Sequence, residues 1–251
     1  MSALRVLHLY AGALGINGDA GNVLALRQRL QWRGLAAEVV VVEAGQALPG
    51  EVDIVHIGSG PRSARDALLS DIGARSEQLQ SWASSGVAMI AVGAGFQLVS
   101  RAIISLDGSQ HPGAAVLPVT IRDVAARSVG EVLGMPAGGR RLAGYLNHAV
   151  EVERHDVEPL VELDRGPAVG PSDSSERRLD GVRVGGLVGT HLHGPVLPMN
   201  PALADELLQH ALARHGESLP EADERVIAAD EFARRARAAI AARLGRGGVE
   251  V

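Results

Sequence analysis

A chain of 251 residues, 46% apolar and 21% charged, is long enough to bury one large core and too apolar to be mainly disordered. Its formal net charge of -5 argues against a binder that relies on electrostatic attraction to nucleic acid. It contains no cysteine, which excludes disulfides, thiolate metal sites and a cysteine nucleophile, and no lysine, which excludes a Schiff-base lysine and a Walker-type phosphate loop.

Residues 4–9, LRVLHL, read as a buried strand. Apolar residues at helical spacing (Val23, Leu24, Leu26, Leu30) predict a helix over 22–33, stopped by Gly34. Strands are expected at 37–42 and 53–57, the second running into Gly58-Ser59-Gly60-Pro61, then a helix over 63–84, a strand over 87–92 and a helix over 96–103. These strands are apolar along their whole length and alternate with helices, which predicts a mostly parallel sheet with helices on both faces. The second half reads as β-rich. Strand-like pieces recur at 115–121, 129–133, 141–153 and 181–189, Pro136-Ala137-Gly138-Gly139 marks a turn, and 165–178 is expected to be an exposed loop. Helices are expected over 201–214 and 220–244, the latter with Phe232, Ala236, Ile240 and Leu244 as an apolar stripe that packs on the domain or meets a partner. The short apolar run near the start does not fit a secretory signal and no run of about 18 apolar residues occurs, so a cytoplasmic protein without membrane insertion is expected.

The segment VAMIAV-GAG-FQLVS carries the sharpest signal. A buried strand ends at Gly93 and a helix begins at once, which lifts one residue above the carboxyl edge of the sheet. This is the geometry of a nucleophile elbow, where an oxyanion finds backbone N–H groups. Glycine has no side chain with which to attack. On this turn alone, Gly93 and Gly95 fit tight packing of a helix after a strand better than a catalytic turn, and Leu98 stands where a dinucleotide loop needs its third glycine.

Three further segments accompany the turn: HLYAGALGINGDAGNVLALRQRLQWRG at 8–34, GYLNH at 144–148 and GTHLHGPVLPMNPA at 189–202. Together with GAGFQL they resemble the class I glutamine amidotransferases of the cobyric-acid-synthase type, and within them the glutaminase subunits of lipid II isoglutaminyl synthases. The resemblance runs from about residue 4 to 215. It implies a flavodoxin-like fold, a glutamine-amidotransferase-like domain over 1–215 and a helical extension over 216–251. In that family an elbow cysteine attacks the side-chain amide of glutamine, a thioester forms and is hydrolysed, and ammonia passes to a Mur-ligase-like subunit that amidates the lipid II stem peptide with ATP.

Position by position, the resemblance places the family's general base on His193, with Gly93 at the missing nucleophile. His191 stands where the family usually has tyrosine, and Pro195 where many class I enzymes carry an acid. Substrate-binding positions fall on Gly60, Ala94, Gln97 and Arg127, and the family's Asn-His pair on Asn147 and His148. Ser59 lies in a loop that in the family helps form the oxyanion hole, and Ser100 is expected two turns into the elbow helix, out of reach. No cofactor and no metal are implied. A Mur-ligase-like partner in a heterodimer is implied, with glutamine or a related small amide as ligand. The expectation is a subunit that has lost its own catalysis, so its status as an enzyme stays open. The alternatives are an amino-acid-binding or regulatory module, whose pocket would be enlarged at Gly93, and a glutaminase with an unusual nucleophile.

Overall fold

The strand at residues 4–9 becomes the second strand of a twisted sheet, and the first half of the chain winds around it. The computed structural model describes residues 3–137, 139–165 and 178–248. In chain order the first half comprises β1 (Leu4–Leu9), α1 (Ala20–Trp32), β2 (Ala37–Val42), β3 (Ile54–Ile57), three short helices α2 (Arg62–Ala67), α3 (Leu69–Ala74) and α4 (Ser76–Ser84), β4 (Ala88–Val92) and α5 (Ala94–Leu98). The second half adds β5 (Ala102–Ile104), β6 (Gln110–Pro112), β7 (Val119–Met135), β8 (Leu142–Arg154), β9 (Val161–Arg165), β10 (Leu179–Asp180), β11 (Val182–Val184), β12 (Leu187–Thr190), α6 (Val196–Met199), α7 (Pro201–Ala213) and α8 (Glu224–Arg243).

The main sheet runs β11-β12-β4-β3-β1-β2, parallel throughout except for the β11–β12 hairpin at one edge. Its parallel strands therefore follow the flavodoxin-like order 2-1-3-4-5, in which ligands bind beyond the carboxyl ends of the strands. Successive side chains of a strand point to opposite faces. Accordingly Met89 and Ala91 enter one apolar cluster with Leu7, Val55 and Trp82, while Ala88, Ile90 and Val92 enter another with Leu26, Leu207 and Leu212. Both faces are covered, so β3 and β4 are buried at every residue, as their unbroken apolar runs require.

A second sheet, β10-β9-β7-β5-β6 with β8 paired to β7, accounts for the β-rich half. Residues 119–121 of the piece expected at 115–121 and the whole piece expected at 129–133 belong to one strand, β7, whose pairing with β8 shifts register between Asp123 and Ser128, while 115–118 are not strand. The stretch Val124-Ala125-Ala126-Arg127, which separates the two expected pieces, is a bulge within one strand. The helix expected over 63–84 divides into α2, α3 and α4, and the elbow helix ends at Leu98 rather than 103. Most of the loop expected at 165–178, and Gly138 of the expected turn, lie outside the described residues.

α8 starts at an Asp223 cap that accepts from the N–H groups of Arg225 and Val226. Arg29 of α1 holds Asp205 of α7 at 2.6 Å and Asp230 of α8 at 2.6 Å, which ties three helices together. Among the described residues no helix is long and apolar enough to cross a membrane.

Candidate active site

The carboxyl end of β4 delivers Gly93 with φ 55° and ψ -113°, the strained turn of an elbow that glycine adopts without a Cβ penalty. Its N–H donates to Thr190 O at 2.8 Å, which anchors the turn to the end of β12. Gly95 N–H donates to Gly58 O at 2.9 Å, and a Cβ at 95 would lie 2.8 Å from that same oxygen, so the loop after β3 approaches only because residue 95 is glycine.

That loop brings Ser59 to the elbow. A Cβ placed on Gly93 would fall against Ser59 Oγ, 2.8 Å from Ser59 Cβ and 3.0 Å from His193 Cε1. The space of the missing side chain is thus filled by the serine hydroxyl, and the enlarged pocket expected at Gly93 is absent for that reason. The loop is fixed from the opposite side as well. Ser59 N–H donates to Asp19 Oδ2 at 2.6 Å, Ile16 N–H donates to Ser59 O at 3.1 Å, and Asn22 Nδ2 donates to Asp19 Oδ1 at 3.3 Å. Burial without a cationic partner pushes the Asp19 carboxyl up to about 7, against the pull of the two hydrogen bonds.

His193 sits beyond β12, in a bridge with Tyr145 of β8 that exchanges two backbone bonds of 2.9 Å. Its side chain is buried, and burial together with the neighbouring His191 holds its pKa down to about 4. His193 is therefore a neutral imidazole at physiological pH, able to accept a proton. His191 and His148 form a deeper layer, with rings stacked at 4.3 Å. Asp180 closes this layer. It accepts from Thr190 Oγ1 at 2.5 Å and from the His191 N–H at 3.2 Å. Burial acts to raise its pKa, but the adjacent His191 imidazole, with the Thr190 hydroxyl and His148, holds it down to about 2.

Gln97 points inward from α5. Its Nε2 lies 3.4 Å from His191 Nε2, and its Oε1 accepts from Arg65 at 2.9 Å. Arg65 in turn makes a two-pronged pair with Asp123, at 2.7 and 2.8 Å, with both side chains 1% exposed. A buried polar chain thus runs from the β7 bulge to the elbow.

Of the residues singled out in the sequence, Gly93, Ala94, Ser59 and His193 converge, with Gly60 following in the same loop. Gln97 lies behind them and His148 deeper still. Arg127 is exposed on β7 and bonds Asn147 Oδ1 at 2.7 Å. Ser100 is not two turns into a helix. It follows the end of α5, buried, and its hydroxyl donates to Gln97 O and Ala102 O. The sequence reading missed the roles of Asp19, Asn22, Arg65, Asp123 and Asp180. Asp19 and Asn22 stand in the quoted GDAGN run, which was a signal, whereas nothing in sequence pairs Arg65 with Asp123 across 58 positions.

The CobB/CobQ-like glutamine amidotransferase domain matches residues 5–201. The chain belongs to that family. It is similar to the lipid II isoglutaminyl synthase (glutamine-hydrolyzing) subunit GatD of Staphylococcus aureus, 26% identical over 86% of this chain and 87% of the relative. It is also similar to the subunit GatD of Streptococcus pneumoniae, 24% identical over 84% and 81% respectively. A solved glutamine amidotransferase shares the fold, with a TM-score of 0.55 and 18% identity over 82% of this chain and 98% of that one. As a CobB/CobQ-like domain, the chain keeps the elbow turn and a neutral imidazole beside it. The residue on the turn has no side chain, and the atom nearest its Cβ direction is a serine oxygen.

Proposed function

We propose that this chain is the glutaminase-type subunit of a lipid II isoglutaminyl synthase-like pair and that it does not itself hydrolyse glutamine. The relatives named as GatD support the first part. The second part rests on one observation, the substitution of glycine at the elbow with Ser59 Oγ seated in the space a nucleophile would take. In the working relatives the elbow thiolate adds to the amide carbon, nitrogen leaves as ammonia with a proton from the histidine, and water releases glutamate. Here His193 takes the histidine position, and Gly60, Ala94, Gln97 and Arg127 take the substrate positions, but no thiol opens the sequence. Loss of a protease nucleophile alone lowers kcat by roughly 10⁶. Residues 1–215 form the amidotransferase-like unit and 216–251 an extension. The subunit pairs with a Mur-ligase-like enzyme, holding it in an active form that takes free ammonia or another amine.

The test mixes the purified chain with the Mur-ligase-like subunit encoded in the same genome, ATP and lipid II. Association at micromolar concentration and amidation driven by ammonium, with no glutamate released from glutamine, are expected. Failure to associate overturns the pairing. Glutamine-driven amidation overturns the loss of catalysis, and if Ser59→Ala abolishes it, the serine is the nucleophile.

A further inference from the structure

Behind the elbow, three side chains from three segments meet in a buried layer: His148 of β8, Asp180 of β10 and His191 just beyond β12. One ligand atom from each lies within 4.8 Å of the others, and all three residues are at least nine-tenths buried. Ordinary hydrogen bonding leaves this layer incompletely satisfied. His148 Nε2 and His191 Nδ1 are buried without a hydrogen-bond partner, although such groups nearly always find one. Asp180 Oδ1 lies 3.4 Å from His191 Nδ1 without the alignment of a hydrogen bond.

We propose that His148, Asp180 and His191 bind a divalent transition-metal ion of the zinc class. Two imidazoles and a carboxylate are a common ligand set for zinc, with a fourth position left to water. Bonds of about 2.1 Å in a tetrahedral site put ligand atoms about 3.4 Å apart. The Asp180–His191 pair already stands at that spacing; the widest pair, within 4.8 Å, closes by up to about 1.4 Å, and the two imidazoles, now stacked with their planes 27° apart, tilt so that one nitrogen of each converges on the ion. Each imidazole binds through one nitrogen and keeps its proton on the other. The long 3.4 Å contacts now made by His148 Nδ1 with Val150 N–H and by His191 Nε2 beside Gln97 Nε2 are the ones given up. The carboxylate is oriented in advance by Thr190 Oγ1 and the His191 N–H, the outer bonding that metal-binding carboxylates usually carry. The sequence reading implied no metal, because it treated His191 as a replacement for tyrosine and had no means of placing Asp180 beside it.

The experiment strips the full chain with a chelator, then supplies Zn²⁺ or Co²⁺ both by prolonged equilibration and by refolding in its presence. One tightly held equivalent by elemental analysis is expected, and the Co²⁺ form is expected to show the visible bands of four-coordinate cobalt. His191→Tyr and His148→Gln, each checked for native circular dichroism, are expected to weaken affinity by 100-fold or more and to abolish those bands. Less than half an equivalent retained by the unaltered chain after both treatments overturns the proposal, as does a folded His191→Tyr or His148→Gln protein that binds as tightly. The readout does not involve glutamine or a partner subunit, so it stands apart from the functional reading above.

Discussion

At Gly93 a single missing side chain has consequences for its neighbour. Ser59 occupies the vacated space, so a thiol cannot be restored at position 93 by one substitution. Gly93→Cys is expected to leave the new thiol crowded by Ser59, whereas Gly93→Cys with Ser59→Gly is expected to react with iodoacetamide at least about tenfold faster, a thiol's reactivity depending on its access and its thiolate fraction. Equal alkylation rates would show that Ser59 is not the obstacle. Asp19, which holds the Ser59 loop, carries a pH signature. Its folded pKa of about 7 lies above the ordinary carboxyl value, so between these limits the folded state holds a proton that the unfolded state has released. Stability is therefore highest below about pH 4 with respect to this group and falls by up to about 4 kcal/mol as pH rises to about 7. Urea unfolding at pH 5 and pH 8 is expected to show this fall in the unaltered chain and a smaller one in Asp19→Asn. Identical pH slopes would contradict the assignment.

At the scale of elements, α8 shows how far a four-residue periodicity holds. Of the stripe Phe232, Ala236, Ile240 and Leu244, Ile240 is buried, Leu244 packs against the same small cluster and Ala236 is half-buried, so the stripe packs on the domain except at Phe232; the buried face is Val226, Ala233, Arg237, Ile240 and Ala241. Phe232 is 66% exposed, at the rim of an apolar cavity of about 500 Å³ shared with Leu24, Trp32 and Leu197. A step of four residues drifts around a helix of 3.6 residues per turn, and α8 meets its neighbours along a line rather than over a broad face. Ile240→Ala is expected to lower unfolding stability by about 2–4 kcal/mol, and Phe232→Ala to change it by no more than about 0.5 kcal/mol. Chemical denaturation of the two variants compares them directly. The bulge in β7 marks a similar limit. Its Val124-Ala125-Ala126-Arg127 stretch lies between two pieces expected as separate strands, yet the strand continues through it with Asp123, at its edge, turned inward to Arg65.

Across the whole molecule, ion pairs far apart in sequence join its parts. Arg29 links α1 to α7 and α8 with its own side chain 6% exposed, while the Arg5–Glu38 pair lies at the surface, 40% and 53% exposed. Removing the buried Arg29 takes away both ties between helices, leaving Asp205 with Arg33 alone and Asp230 half-exposed, whereas an exposed pair contributes little. Arg29→Ala is therefore expected to lower stability by about 1–3 kcal/mol and Arg5→Ala by less than about 1 kcal/mol, as measured by urea midpoints. Similar losses in both would mean that the α1–α7–α8 clamp adds nothing.

The sequence alone was sufficient for the parallel layer, since unbroken apolar strands separated by helices have few ways to bury both faces. It was also sufficient for the elbow, because a strand that stops at Gly93-Ala94-Gly95 and turns at once into a helix has little conformational choice. These signals are local, carried by neighbours in the chain. Only the tertiary structure decided that Ser59 fills the space at Gly93, that Asp123 meets Arg65 and that Asp180 stands beside His148 and His191. Those contacts join strands and loops tens of residues apart, and the burial that makes them matter comes from the packing of the whole chain.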